Sequence, residues 1–266
     1  MTLKFTILGC GSSAGVPRPA LGWGACDPNN PKNRRRRCSL LVERLAPGGG
    51  RTRVLVDTSP DLREQLIDAS VDWLDGVLFT HEHADHTHGI DDLRSLFIHK
   101  RKRINVYLDA LTSEILHARF SYCFISAPGS DYPPILSEKE LKAMRPVTIE
   151  GEGGQIAALP VPVQHGSISA FGFRFGNVFY SPDISGIPSE SAAALTGLDT
   201  WIVDALRITP HPSHFSFSEA AEAVERIGAR RAILTHMHAD LDYAAMRAKL
   251  PPHIQPAYDG MTFEEG

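Results

Sequence analysis

The stretch GVLFTHEHADHTHGID, residues 76–91, constrains this chain more than any other. Its first five residues are apolar and β-prone, and they read as a buried strand. Directly after them His81, His83, His86 and His88 crowd into eight positions, in a chain of 266 residues with twelve histidines. Imidazoles and carboxylates are costly at the end of a buried strand unless something there satisfies them. One histidine could be met by a backbone partner, and a solvated polar loop needs no such concentration. Four ligand-type residues spaced as H-x-H-x-D-H, at His81, His83, Asp85 and His86, point instead to a metal site. Alternation beyond the strand brings His81 and His83 to one side, while Asp85 and His86 turn toward a second position. Neutral imidazoles with a carboxylate suit zinc, manganese or iron.

The rest of the chain sets the framework for that loop. Short β-like runs recur at 4–8, 39–43, 53–57, 76–80 and 104–108, and again at 156–161, 170–175, 177–181, 200–205 and 231–235. Gly176-Asn177 between two alternating runs is a hairpin signal. Helical patterns are fewer. One follows Ser59, read as an N-cap, with Pro60 at the first helical position. Others cover 111–122, 216–229 with Ser218 as cap and Gly228 as stop, and 241–250. Strands in both halves with interspersed helices predict an α/β layered domain, two sheets with helices outside. No repeat or linker divides it, so residues 1–266 read as one domain, with 110–155 an insertion that could form a lid.

Charge and composition narrow the function. A net charge of −4 argues against a general nucleic-acid or membrane binder. The basic run Arg34–Arg37 reads either as a solvated loop or as an anion contact. Cys10, Cys26, Cys38 and Cys123 form no C-x-x-C pair and no disulfide framework, which points to a reducing cytoplasm. No stretch is long and apolar enough to span a membrane, and the opening MTLKFTILGC reads as a strand rather than a signal peptide. FTILGCGSSAG mimics a dinucleotide-binding fingerprint, but Pro17 and Pro19 follow where a helix is required. The glycines there shape a loop.

THEHADH resembles the H-x-H-x-D-H signature of the metallo-β-lactamase superfamily, which implies an αββα sandwich of two mixed β-sheets flanked by helices. The resemblance demands three later ligands after strands, and His165, Asp183 and His236 stand in those contexts. It implies one divalent metal on His81, His83 and His165, a second on Asp85, His86 and His236, and Asp183 between them. A hydroxide bridging two such metals would then be the nucleophile.

Finer matches, GCGSSAGVP, RRRRCSLLVE, VDTSPDLREQL and the closing YDGM, resemble the PhnP-like branch, related to tRNase Z. They imply a phosphodiesterase acting on a small cyclic phosphate or nucleotide-like ester. His214, in RITPHPSHFSFSEA, would protonate the leaving oxygen, with Asp85 and Asp183 completing the catalytic set. His211, Ser12, Ser13 and Arg37 are the further candidate phosphate contacts. The structural zinc of that branch needs more than the Cys26 and Cys38 found here. His88 is expected to support the metal ligands, and Glu82 to stay outside them. His238 could face the pocket or solvent. Competing readings are a tRNase Z-like nuclease, a lactone or thioester hydrolase, and a nucleotide-binding protein with a vestigial metal site. The first would need a long basic arm that the sequence lacks. Oligomeric state stays open, a homodimer included.

Overall fold

The computed structural model describes residues 2–126 and 128–266. In chain order it contains β1 (Leu3–Gly9), β2 (Ser39–Leu45), β3 (Arg51–Val56), α1 (Leu62–Asp68), β4 (Gly76–Leu78), α2 (Ala84–Thr87), α3 (Arg94–Lys100), β5 (Ile104–Leu108) and α4 (Ala110–Phe124). There follow β6 (Leu136–Glu140), β7 (Val147–Ile149), β8 (Ile156–His165), β9 (Ile168–Phe175), β10 (Val178–Ser181), β11 (Thr200–Asp204), α5 (Phe217–Ile227), β12 (Arg231–Thr235), α6 (Tyr243–Lys249), β13 (Ile254–Pro256) and β14 (Met261–Glu265).

Two seven-stranded sheets result, ordered β14-β1-β2-β3-β4-β5-β6 and β13-β12-β11-β10-β9-β8-β7. Both are mixed. β3 to β6 run parallel, as do β10 to β13, and the remaining pairs are antiparallel. Strand periodicity assigns each side chain its layer. Leu40 and Val42 of β2, with Val54 and Val56 of β3, join Phe173, Phe179 and Trp201 in the core between the sheets. Leu41 and Leu55 point the other way and pack with Leu62 and Leu66 of α1 and Leu116 of α4. α5 and α6 cover the second sheet through Ala220, Val224 and Met246. The αββα sandwich expected from the sequence is what the chain adopts.

The hairpin at Gly176-Asn177 also forms, with Gly176 at φ +58° joining β9 to β10. Three local expectations change. α1 starts at Leu62 after Asp61, not at Pro60, because Ser59 Oγ accepts the Asp61 N–H in a turn that ends before the helix. α5 is capped by Ser216, not Ser218, in a capping box with Glu219; Ser218 lies inside the first turn. Residues 110–155 supply α4, β6 and β7, so much of that segment belongs to the crossover and edge strands of the sandwich rather than to a lid.

Parallel strands deliver their carboxyl ends to one side of the sandwich, and that side carries the histidines. Asp57 follows β3, His81 to His86 follow β4, Asp204 ends β11 and His236 follows β12. β8 ends on His165, and Asp183 lies two residues past β10.

Candidate metal centre

Seven side chains from four separate chain segments converge there. His81, His83, His165 and Asp183 present ligand atoms within 4.8 Å of one another, and so do Asp85, His86 and His236. Asp183 joins the two groups. Its Oδ2 lies 3.8 Å from His81 Nε2 and 3.6 Å from His165 Nε2. Its Oδ1 lies 3.0 Å from His86 Nε2 and 3.6 Å from His236 Nε2. On the far side Asp85 Oδ2 sits 3.5 Å from His86 Nε2 and 3.4 Å from His236 Nε2. Ligands ~2.0–2.1 Å from one tetrahedral ion lie about 3.4 Å apart, so the spacing matches two coordination shells sharing a carboxylate.

The chain aims these atoms by holding the opposite edge of each ring. His86 Nδ1 bonds the buried Asp57 carboxylate at 2.7 Å, and His165 Nδ1 the Ser213 carbonyl at 2.7 Å. His81 Nδ1 meets Thr80 Oγ1 at 2.9 Å, and that hydroxyl donates to Asp57. His236 turns Nδ1 toward Asp204 Oδ1, 3.6 Å away. Such partners set tautomer and orientation in metal sites. Four rings therefore point Nε2 inward, while His83 uses Nδ1, 3.3 Å from His165 Nε2.

Three of the inward atoms lack hydrogen-bond partners. His81 Nε2, His86 Nε2 and Asp183 Oδ1 are buried with no hydrogen bond, an expensive state for polar atoms. Electrostatics makes the same point. Burial disfavours charge on His86 and His236, yet Asp183 and neighbouring carboxylates outweigh it and push both well up. Asp85 and Asp183 are held well below the usual carboxylate range, because the adjacent imidazoles outweigh burial. Burial with neighbouring histidines keeps His81 and His165 down, hence neutral and able to offer a lone pair. A cluster that draws in positive charge and exposes unbonded lone pairs fits divalent cations.

His214 borders this cluster. Its ring stacks on His236 at 4.8 Å and 11° and meets His165 edge-on at 4.6 Å. Its Nδ1 bonds Asp204 Oδ2 at 2.7 Å, which leaves Nε2 for other work. Asp204 is wholly buried and also accepts the Ile184 N–H. His211 lies 5.2 Å from the His214 ring and engages Ser213.

Other sequence candidates fare differently. Ser12 is buried against Met237 and Gly15, and Ser13 is exposed. Arg37 is paired with Asp61. Arg36 pairs with Asp68, Arg34 lies over Trp23, and buried Arg35 donates to the His238 and Leu241 carbonyls. The basic run is thus a brace between the first loop and the C-terminal segments. His88 is exposed and meets Phe120, touching none of the seven, so its expected supporting role is not what the structure shows. Glu82 stays outside the cluster, its carbonyl accepting from Arg119 of α4. Asp57 and Asp204 were missed as site residues. A carboxylate at the end of each parallel strand was the available signal. All four cysteines are buried and free, and among the described residues none joins a metal-ligating group.

Residues 52–237 match the family model described as the beta-lactamase superfamily domain, and the chain belongs to that superfamily. It is a metal-binding hydrolase fold. Within the superfamily the chain falls in the PhnP family: a solved diphosphatase of that family is 33% identical, superposing with a TM-score of 0.88 over 100% of this chain and 98% of its own. Zinc-bound PqqB from Methylobacterium extorquens shares the fold at 17% identity and a TM-score of 0.72, over 98% of this chain and 99% of its own. The short form of human tRNase Z does so at 17% and 0.63, over 98% of each chain. A curated octanoyltransferase of Porphyromonas gingivalis is 32% identical over 264 residues, 97% of this chain. The chain spans about half of that relative's length, 51%.

Proposed function

We propose that the chain is a binuclear metal-dependent phosphodiesterase acting on a small phosphodiester or diphosphate, nucleotide-like or cyclic. The observation that carries this is the two-sided Asp183, one oxygen toward each histidine group, with His214 poised beside it on Asp204. The 33% identity to a PhnP-family diphosphatase favours phosphate over other substrates of this fold.

His81, His83 and His165 would hold one divalent ion and Asp85, His86 and His236 the other, shared through Asp183. When bound, zinc or manganese supplies Lewis acidity and water acidified to a pKa of ~7. The residues do the rest. Asp57, Thr80 and the Ser213 carbonyl keep the rings from turning. Asp204 accepts a hydrogen bond from the His214 Nδ1–H, so a protonated His214 presents its second N–H, at Nε2, to the departing oxygen. The buried, unpaired thiols fit a reducing compartment.

Turnover of bis(p-nitrophenyl) phosphate, read beside metal content, tests the proposal. Asp183→Ala should lose both metal and activity. Full turnover in that variant would sink it. A second reading is the thioester hydrolase that the same superfamily fold allows, and the octanoyltransferase name belongs to a relative of which this chain covers 51%. An octanoyl thioester in the same assay decides between them: cleavage of it with no phosphodiester turned over would favour the second.

A further inference from the structure

His83 stands apart from the other six candidate ligands. It is the one exposed residue among them. Its ring also lacks the brace that Asp57, Thr80, Ser213 and Asp204 give to the other four rings. Among the described residues its ring bonds only to His165.

What holds His83 is backbone, because the carbonyls on both sides of its Cα are engaged. The His83 carbonyl accepts the His86 N–H at 3.1 Å and the Thr87 hydroxyl at 2.9 Å. Those bonds come from α2 itself, a single turn of four residues, too short to be stable alone. The Glu82 carbonyl accepts from Arg119 Nη1 of α4 at 2.8 Å, and more distantly from Thr87 Oγ1 at 3.4 Å. Planar peptides fixed on both sides leave a side chain only its own torsions, so the direction of the His83 Cα–Cβ bond is set.

Helix α4 delivers Arg119 to that carbonyl. The helix opens on Asp109, which accepts the Thr112 N–H, and buries Leu116 in the core with Leu62 and Leu93. Arg119 follows three residues later, and the helical backbone breaks immediately after it, at Phe120 with φ −133° and ψ 35°. Phe120 lies edge-on to His88, 5.5 Å away. The end of α4 therefore meets the ligand loop on both sides, at Glu82 and at His88. A guanidinium donating to the carbonyl of buried Glu82 makes a charge-assisted bond, stronger than a neutral one.

We infer that Arg119 is a positioning residue for the metal centre: it aims His83 through the Glu82 peptide, and so governs the ion that His81, His83 and His165 would hold. The inference rests on the binuclear reading of the centre and not on the substrate. His86 and His236 take their orientation from Asp57 and Asp204, so the other ion should be indifferent to Arg119.

Cobalt(II)-loaded protein competed with EDTA tests it, because the visible bands of each ion report its loss. In Arg119→Ala one ion should leave at roughly 10–100-fold lower EDTA, the range for losing a residue that orients a ligand. The bands that fade should be those that His83→Ala also loses. The ion whose bands His236→Ala loses should be retained as in the wild type, and Arg119→Lys should restore part of the difference. Unchanged retention in Arg119→Ala, or equal loosening of both ions as a merely structural role would give, would overturn the inference alone. A wild type that holds fewer than two ions would overturn the binuclear reading and the inference with it.

Discussion

Asp204 shows how one buried carboxylate can serve two tasks. Its Oδ2 fixes His214 at 2.7 Å, and its Oδ1 faces His236 Nδ1 at 3.6 Å. Asp204→Asn would present an amide where His214 needs an acceptor, favouring the wrong tautomer. The effect depends on the leaving group, because an acid matters most where the departing oxygen is basic. With an alkoxide leaving group, His214→Ala and Asp204→Asn should lower kcat by ~10²–10⁴. With p-nitrophenolate the loss in His214→Ala should be far smaller. Equal losses on both substrates, with metal content intact, would show that His214 is not the acid. Asp57 plays the corresponding part for His86, and it does so from the left-handed region, at φ +64°. The hydrogen bonds to Thr80 hold that conformation in place.

At the level of elements, local chemistry and packing divide the work. α5 is well specified locally: a capping box opens it and Gly228 at φ +74° closes it. Ser216→Ala should cost about 1 kcal/mol, read as a shift in the urea midpoint. Ser218→Ala, the cap expected from the sequence, should cost less. An inverted order would contradict the capping geometry. The glycine loop after β1 is constrained by packing. A Cβ on Gly9 would fall 2.1 Å from the Arg37 carbonyl, so those glycines allow two backbones to meet. They serve a close approach between the end of β1 and the Arg35–Arg37 backbone.

Across the whole molecule, Asp259 ties the turn before β14 to the segments beside β1 and β2. It accepts the Arg36 N–H at 2.7 Å and the Cys10 N–H at 3.2 Å, joining the C-terminal turn to segments more than two hundred residues away. Burial, opposed only in part by these hydrogen bonds, pushes its carboxyl up to about 7 from 3.8. The folded state therefore binds that proton more tightly than the unfolded chain. The contribution is full below pH ~4, declines as pH rises to ~7, and is constant above. Urea denaturation across pH 4–7 should show this decline in the wild type, and Asp259→Asn should lack it whatever its absolute stability. Parallel slopes in the two proteins would refute the assignment.

Much of the fold and the metal cluster was legible in the sequence, and the reason is local. His81, His83, Asp85 and His86 lie within six residues of one another behind an apolar strand, so their convergence needs little beyond backbone alternation. Ten strand-like runs with interleaved helices already require two covered sheets. What tertiary structure decided was everything carried by partners distant in sequence. His88 sits two residues from His86 yet turns to Phe120. Ser216 rather than Ser218 caps α5 because the chain bends there. Arg37 meets Asp61, whereas Arg18 meets His238, 220 residues away. Asp57 and Asp204 look like ordinary strand ends until the sandwich closes and buries them against imidazoles. Of the candidate ligands, His81, His83, Asp85 and His86 are grouped by short-range spacing, whereas His165, Asp183 and His236 reach them only in the closed sandwich. The orientation of those ligands, and the group left free to take a substrate, depend on long-range contacts that only the closed sandwich makes.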